Sequence, residues 1–200
     1  MKLVCISDNH CLYPDLPEGD ILIIAGDFTY LGKPNEIQEN QKWLDSLKFK
    51  HIVAVAGNHD WGFHSGTFKG VTLLFDEEIT VEGLRIYGTP YTPIFYNWDF
   101  MEEEEALVRR FAKIPEGLDI LITHGPPRGI LDMNKAGEHC GSTALRDRLL
   151  NMKSPPAKHI FGHLHREYKN NHICYNGTDF YNASITNERY RFVNKPIEIR

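Results

Sequence analysis

Ile52-Val53-Ala54-Val55-Ala56-Gly57-Asn58-His59-Asp60 is an unbroken apolar run that stops at a glycine and releases three polar side chains at once. Such a run, rich in β-branched residues and without polar alternation, is the pattern of a strand covered on both faces. The same grammar recurs outward from it. Leu3 to Ser7 leads into Asp8 and His10, and Ile21 to Ala25 into Gly26 and Asp27. Ile120 to Thr123 leads into His124, and His159 to Phe161 into Gly162, His163, Leu164 and His165.

Helical patterns fall between these runs. Asn35 to Leu47, opened near Pro34, places Ile37, Trp43, Leu44 and Leu47 at helical spacing. Ser142 to Met152 sets Leu145, Leu149 and Leu150 on one face with Ser142 as N-cap, and a further helix is expected over Glu102 to Lys113. A second set of strand-like runs lacks intervening helices: Val71 to Phe75, Leu84 to Tyr87, His172 to Tyr175, Asp179 to Ile185 and Ile197 to Ile199. Alternation in one part and hairpin-like runs in the other predict an α/β fold. The expected form is a four-layer α-β-β-α sandwich of two mixed sheets flanked by helices. With 200 residues, 42% hydrophobic, and no repeat or linker, one domain over 1-200 is expected.

Four cysteines at irregular spacing, with no CxxC pair, point to neither a disulfide framework nor a thiolate metal site and suit a reducing cytoplasm. Met1 and Lys2 run directly into the apolar run, so no leader is expected, and no stretch approaches the roughly 18 apolar residues of a membrane span, so no membrane contact is expected. The net charge of −5 disfavours extended nucleic acid as a partner.

In an open α/β sheet the carboxyl ends of neighbouring strands share one edge, so polar residues placed there converge although scattered in sequence. Singly, Asp-x-His, Gly-Asp or a histidine after a strand is a commonplace turn or a hydrogen-bonded side chain. Five such segments in order are costly to cluster unless cations neutralise the carboxylates. Carboxylate and amide oxygens with imidazoles suit Mn, Fe or Zn without any thiolate.

Asp8-Asn9-His10, Gly26-Asp27, Gly57-Asn58-His59-Asp60, His124-Gly125 and Gly162-His163-Leu164-His165 match in order the motif set of the calcineurin-like metallophosphoesterases, which the chain resembles over most of its length. Thr123-His124-Gly125-Pro126-Pro127-Arg128-Gly129 and Asn182-Ala183-Ser184 resemble more narrowly the metallophosphoesterase-domain proteins described as cyclic nucleotide phosphodiesterases. The resemblance implies two divalent metal ions, Mn²⁺ foremost with Fe, Zn or Mg as alternatives. One would be held by Asp8, His10, Asp27 and His165, the other by Asp27, Asn58, His124 and His163. Ions about 3.5–4 Å apart acidify a shared water to hydroxide and clamp phosphoryl oxygens through an in-line displacement. His59 becomes the general acid, with Asp60 orienting its ring; the plainer alternative is that His59 fills space beside Trp61.

The expected reaction is hydrolysis of a small phosphate ester, foremost a diester such as a cyclic nucleotide. The alternatives are a monoesterase acting on a nucleotide or phosphoprotein and, from another class, a non-catalytic scaffold, since a retromer subunit uses this fold to bind partners. His51, His64, His139, His159 and His172 read as surface or locally bonded residues, and Glu102 to Glu105 as a solvated helix start. The aromatic stretch Thr89 to Trp98 is either a structural flap or a stacking surface, and Arg128 and Arg166 either rim salt bridges or phosphate contacts.

Overall fold

The computed structural model describes residues 1–166 and 170–200. In chain order the strands are β1 (Leu3–Ile6), β2 (Ile21–Ala25), β3 (His51–Val55), β4 (Thr72–Leu73), β5 (Glu77–Val81), β6 (Leu84–Thr89), β7 (Thr92–Pro93), β8 (Met101–Glu102), β9 (Ile120–Thr123), β10 (Lys158–Phe161), β11 (His172–Tyr175), β12 (Thr178–Asn182) and β13 (Ile197–Ile199). The helices are α1 (Pro34–Ser46), α2 (Glu104–Phe111) and α3 (Thr143–Leu150). One sheet runs β13-β1-β2-β3-β4 and the other β11-β12-β10-β9-β6-β5, with β7 and β8 a separate pair. In both sheets the central strands are parallel, and β13, β5 and β11 run antiparallel to their neighbours.

Strand alternation builds the layers. On β1 and β2, Val4, Ile6, Leu22 and Ile24 face one way and pack with Trp43 and Leu44 of α1. Leu3, Cys5, Ile21 and Ile23 face the other way and meet Ile86, Ile120, Ile122 and Ile160 of the second sheet. The far side of that sheet, through Leu121, Phe161 and Phe180, takes Leu107 and Phe111 of α2 and Leu145 and Leu149 of α3. The runs that looked wholly apolar in sequence are thus buried on both faces, and the four-layer α-β-β-α expectation holds.

Three boundaries differ from the sequence reading. The Asp179 to Ile185 run is not one strand. β12 ends at Asn182; the Ala183 N–H then donates to the Phe161 carbonyl in the second sheet, and the Ile185 N–H to the Ser7 carbonyl beside the first. Those few residues therefore stitch the two sheets together near the strand ends. The helix expected over Glu102 to Lys113 starts later, because Met101 and Glu102 pair with β7. The glutamate run is also not merely solvated. The Glu104 carboxylate accepts from Ser142 Oγ and from the Thr143 and Ala144 N–H groups at the start of α3, and Glu102 pairs with Arg110. Ser142 caps α3 as predicted, accepting the Leu145 N–H at 3.1 Å. The Val71 to Phe75 run contributes only the two-residue edge strand β4.

Candidate metal centre

The ligand loops leave β1, β2, β3, β9 and β10 at one end of the two sheets, and their side chains meet. Asp8, His10, Asp27 and His165 offer atoms that all lie within 4.8 Å of one another. His165 Nε2 is 3.1 Å from Asp8 Oδ1 and 3.0 Å from His10 Nε2, and His10 Nε2 is 3.7 Å from Asp27 Oδ2. On the other side of Asp27, His124 Nε2 stands 3.4 Å from its Oδ2, 2.9 Å from Asn58 Oδ1 and 3.2 Å from His163 Nδ1. All seven residues singled out in the sequence are brought together, with Asp27 between the two groups.

The backbone is forced to make this possible. Asp8, His10, Asp27 and His163 have φ of 59°, 40°, 57° and 69°, left-handed values that cost non-glycine residues energy and persist where surroundings over-determine them. Close approach explains the adjoining glycines. A Cβ at Gly162 would strike Ser7 Oγ and Asp8 Oδ2, and one at Gly57 would strike Asp27 Oδ1. Asp8, His10, Asp27, Asn58 and His124 are buried, so the cluster forms the floor of a cleft.

The donor set fits divalent cations. A carbonyl can only accept, so His10 Nδ1, 3.0 Å from the Thr29 carbonyl, and His124 Nδ1, 2.9 Å from that of Ala25, carry their ring protons there. Their Nε2 lone pairs are thereby aimed into the cluster, the backing arrangement of metal-bound imidazoles. Imidazole nitrogens facing one another and an amide oxygen near 3 Å repel unless a proton or a cation lies between them. These spacings are those of donors sharing an ion at about 2.0–2.2 Å.

Titration tells the same story. Burial works against ionisation of Asp8 and Asp27, yet His165 for the first and His124 for the second hold both carboxyls below their usual range. Burial also opposes charge on His124, but Asp27 and Asp8 push it up to about 9. Burial lowers His10 to about 4 and His163 to about 3. Positive charge is thus demanded at the Asp8 and Asp27 carboxylates, which protons meet in part and divalent cations would meet fully.

His59 sits at the lip, its backbone N–H donating to Asp27 Oδ1 at 2.8 Å and its ring tilted on Trp98 at 4.2 Å between centroids. Its Nδ1 is 2.9 Å from the Tyr30 carbonyl and so carries a proton there, leaving Nε2 without a claim from the backbone. The role expected for Asp60 is corrected. Its carboxylate accepts from the Gly57, Phe28 and Thr29 N–H groups and from Thr29 Oγ1, at 2.8–3.2 Å, so it fixes the two ligand loops while the Tyr30 carbonyl orients His59.

The cleft holds about 330 Å³. Phe95, Tyr96, Trp98 and Tyr190 supply its aromatic wall, and Arg166, Lys135 and Glu188 lie at its edge. The segment of uncertain role from Thr89 to Trp98 therefore borders the cleft. Lys135 is paired with Glu188, and Arg128 reaches the His139 carbonyl at 3.0 Å. His139 pairs with Asp132, His51 with Glu82 and His172 with Asp179, each a local contact as expected. Sequence reasoning missed Tyr190, Tyr30 and the Tyr30 carbonyl; none lies in a motif, and no periodicity marks them.

Carboxylates, an amide and imidazoles gathered at the strand ends of an α/β sandwich define a candidate divalent-metal centre. The chain belongs to the calcineurin-like phosphoesterase family, whose family description, Calcineurin-like phosphoesterase, matches residues 1–167. It is 37% identical to metallophosphoesterase domain-containing protein 1 of Homo sapiens and of Mus musculus, over 99% of this chain and 70% of each relative. In fold it is similar to the phosphopantetheinyl hydrolase of Mycobacterium tuberculosis, with a TM-score of 0.61 and 20% identity over 94% of this chain and 90% of that one. The protein is a metal-dependent phosphoesterase. No helix among the described residues is long and apolar enough to cross a membrane.

Proposed function

We propose that the protein hydrolyses a small phosphodiester, a cyclic nucleotide being the leading candidate, at a two-metal centre in which His59 protonates the departing oxygen. The observation that carries this reading is the placement of His59, tied by its backbone N–H to the Asp27 carboxylate at 2.8 Å and with Nε2 left for proton transfer. Asp8, His10, Asp27 and His165 would hold one cation and Asp27, Asn58, His124 and His163 the other, with manganese the favoured metal. Bound there, the cations supply an acidified water and neutralise charge on the phosphoryl oxygens.

The chain's own groups do the rest. Asp60 keeps the Phe28–Thr29 and Gly57 backbones in register, so that the Asp27 and Asn58 side chains stay aimed at one point. The Tyr30 carbonyl and the Trp98 ring hold the His59 imidazole at the lip, where protonated Nε2 delivers a proton to an alkoxide. A diester carries a second organic arm, and the wall of Phe95, Tyr96, Trp98 and Tyr190 offers aromatic surface for it. The cleft volume suits a small substrate rather than a polymer. Unpaired Cys5, Cys11, Cys140 and Cys174 support a cytoplasmic setting, with residues 1–200 acting as one domain.

The test loads the protein with Mn²⁺ and compares bis(p-nitrophenyl) phosphate with p-nitrophenyl phosphate, alongside a chelated sample and His59→Ala. Faster cleavage of the diester, lost in the chelated sample and lowered roughly 100-fold or more in His59→Ala, is the expected result. A monoester preference would replace the diester reading, and metal binding without cleavage of either ester would point to a scaffold.

A further inference from the structure

Tyr190 belongs to no ligand motif, yet its ring packs against more of the centre than any other side chain of the cleft wall. It stands edge-on to His10 at 4.7 Å and 73°, to His165 at 5.7 Å and 72°, and to His59 at 6.5 Å and 78°. It also meets Tyr30 at 5.1 Å and 85°, and Tyr30 itself stacks on His10 at 5.7 Å. Edge-to-face contact is the preferred arrangement of aromatic rings and resists rotation of either partner.

The segment presenting this ring is held firmly. Asn187 Oδ1 accepts the Arg189 and Arg191 N–H groups, the Tyr190 N–H donates to the Asn187 carbonyl, and Thr186 bridges to Phe192. Thr186 Oγ1 donates to the Asp8 carbonyl at 2.8 Å, which ties this turn to the first ligand loop. Glu188 pairs with Lys135 across the cleft mouth. Tyr190 has φ of 53°, a conformation that a bulky residue keeps only when its surroundings impose it, as at the ligands themselves.

His10 has a backbone carbonyl to fix its ring, whereas among the described residues His165 makes its polar contacts, to Asp8 and His10, through the same Nε2 that faces the cluster. A contact at one atom leaves an imidazole free to pivot, so packing must set its plane. We propose that Tyr190 is a positioning residue of the metal centre, its ring fixing the planes of His165 and His10 and covering the side of the cluster they form. The proposal rests on the metal-binding reading of that cluster.

The test compares Tyr190→Phe, Tyr190→Ala and Tyr190→Gly with the unaltered protein by Mn²⁺ titration calorimetry, the absorption spectrum of the Co²⁺-loaded form, and thermal unfolding in chelator. Glycine removes the ring while relaxing the left-handed backbone, which offsets part of the lost packing, and Tm in chelator checks that the fold is retained. The expected result is a Kd for Mn²⁺ raised about 10–100-fold in the Gly and Ala variants, with an altered Co²⁺ spectrum, and unaltered behaviour in the Phe variant. Unchanged Kd and spectrum in Tyr190→Gly would overturn the proposal, as would equal damage in Tyr190→Phe, which would shift the role from ring to hydroxyl. Absence of Mn²⁺ binding by the unaltered protein would instead sink the metal-centre reading and this proposal with it.

Discussion

His124 and His159 are both fully buried, and Thr123 links their surroundings, being the chain neighbour of one and lying 2.8 Å through Oγ1 from Nε2 of the other. Their chemistry is opposite. His124, on the cleft floor, lies beside Asp27 and Asp8 and is pushed up to about 9 against the effect of burial. His159, in the apolar layer under α2 and α3, packs between Phe161 and Phe180, and burial lowers it to about 3. Burial alone does not make a site; the carboxylates around a histidine do. In sequence the two differ in place: His124 follows the Ile120 to Thr123 run, as the other candidate ligands follow theirs, whereas His159 opens a run.

The largest effect that would break this contrast comes from removing the shared carboxylate. Asp27→Ala should lower Mn²⁺ affinity and diester turnover by more than about 100-fold, checked by calorimetry and steady-state kinetics; an active variant would show that Asp27 is not central. Next, Gly162→Ala forces a Cβ onto Ser7 and Asp8, so thermal unfolding should register a loss of about 1–3 kcal/mol, together with weakened metal binding.

The apolar side has a pH signature. Unfolded, a histidine titrates near 6.5, so between about 6.5 and 3 the unfolded chain binds a proton that folded His159 refuses, and stability must fall as pH falls through that window. His159→Leu should remove up to about 4 kcal/mol of that slope. It should cost little at pH 7, because Thr123 Oγ1 still donates to the Gly125 carbonyl at 2.6 Å. Urea unfolding at several pH values measures it, and an unaltered slope would contradict the assignment. The smallest effect is expected at the exposed wall: Tyr96→Ala should raise KM about fivefold and leave kcat within about twofold.

Much of this contrast was legible in the sequence. β-branched runs named the inner strands because burial on both faces leaves no alternation to mistake, and the strand-end segments named the seven side chains that the fold gathers into one cluster. What escaped was tertiary. Asp60 was assigned to His59 from adjacency, although the turn at Asn58 and His59 folds its carboxylate inward to the Phe28, Thr29 and Gly57 N–H groups. Tyr190 reaches the centre through a left-handed turn whose location no local pattern announces. Residues 183–185 read as the end of a strand because each is compatible with one, whereas the bonds from Ala183 and Ile185 go to different sheets.

The measurement that tests the account most directly is an electron paramagnetic resonance titration of the metal-free protein with Mn²⁺. The account predicts binding that saturates with two ions per chain, whose spectrum shows exchange coupling between neighbours about 3.5–4 Å apart, and loss of that coupling in Asp27→Ala. Saturation at a single uncoupled ion, or a coupled pair that survives Asp27→Ala, would contradict a centre bridged by Asp27.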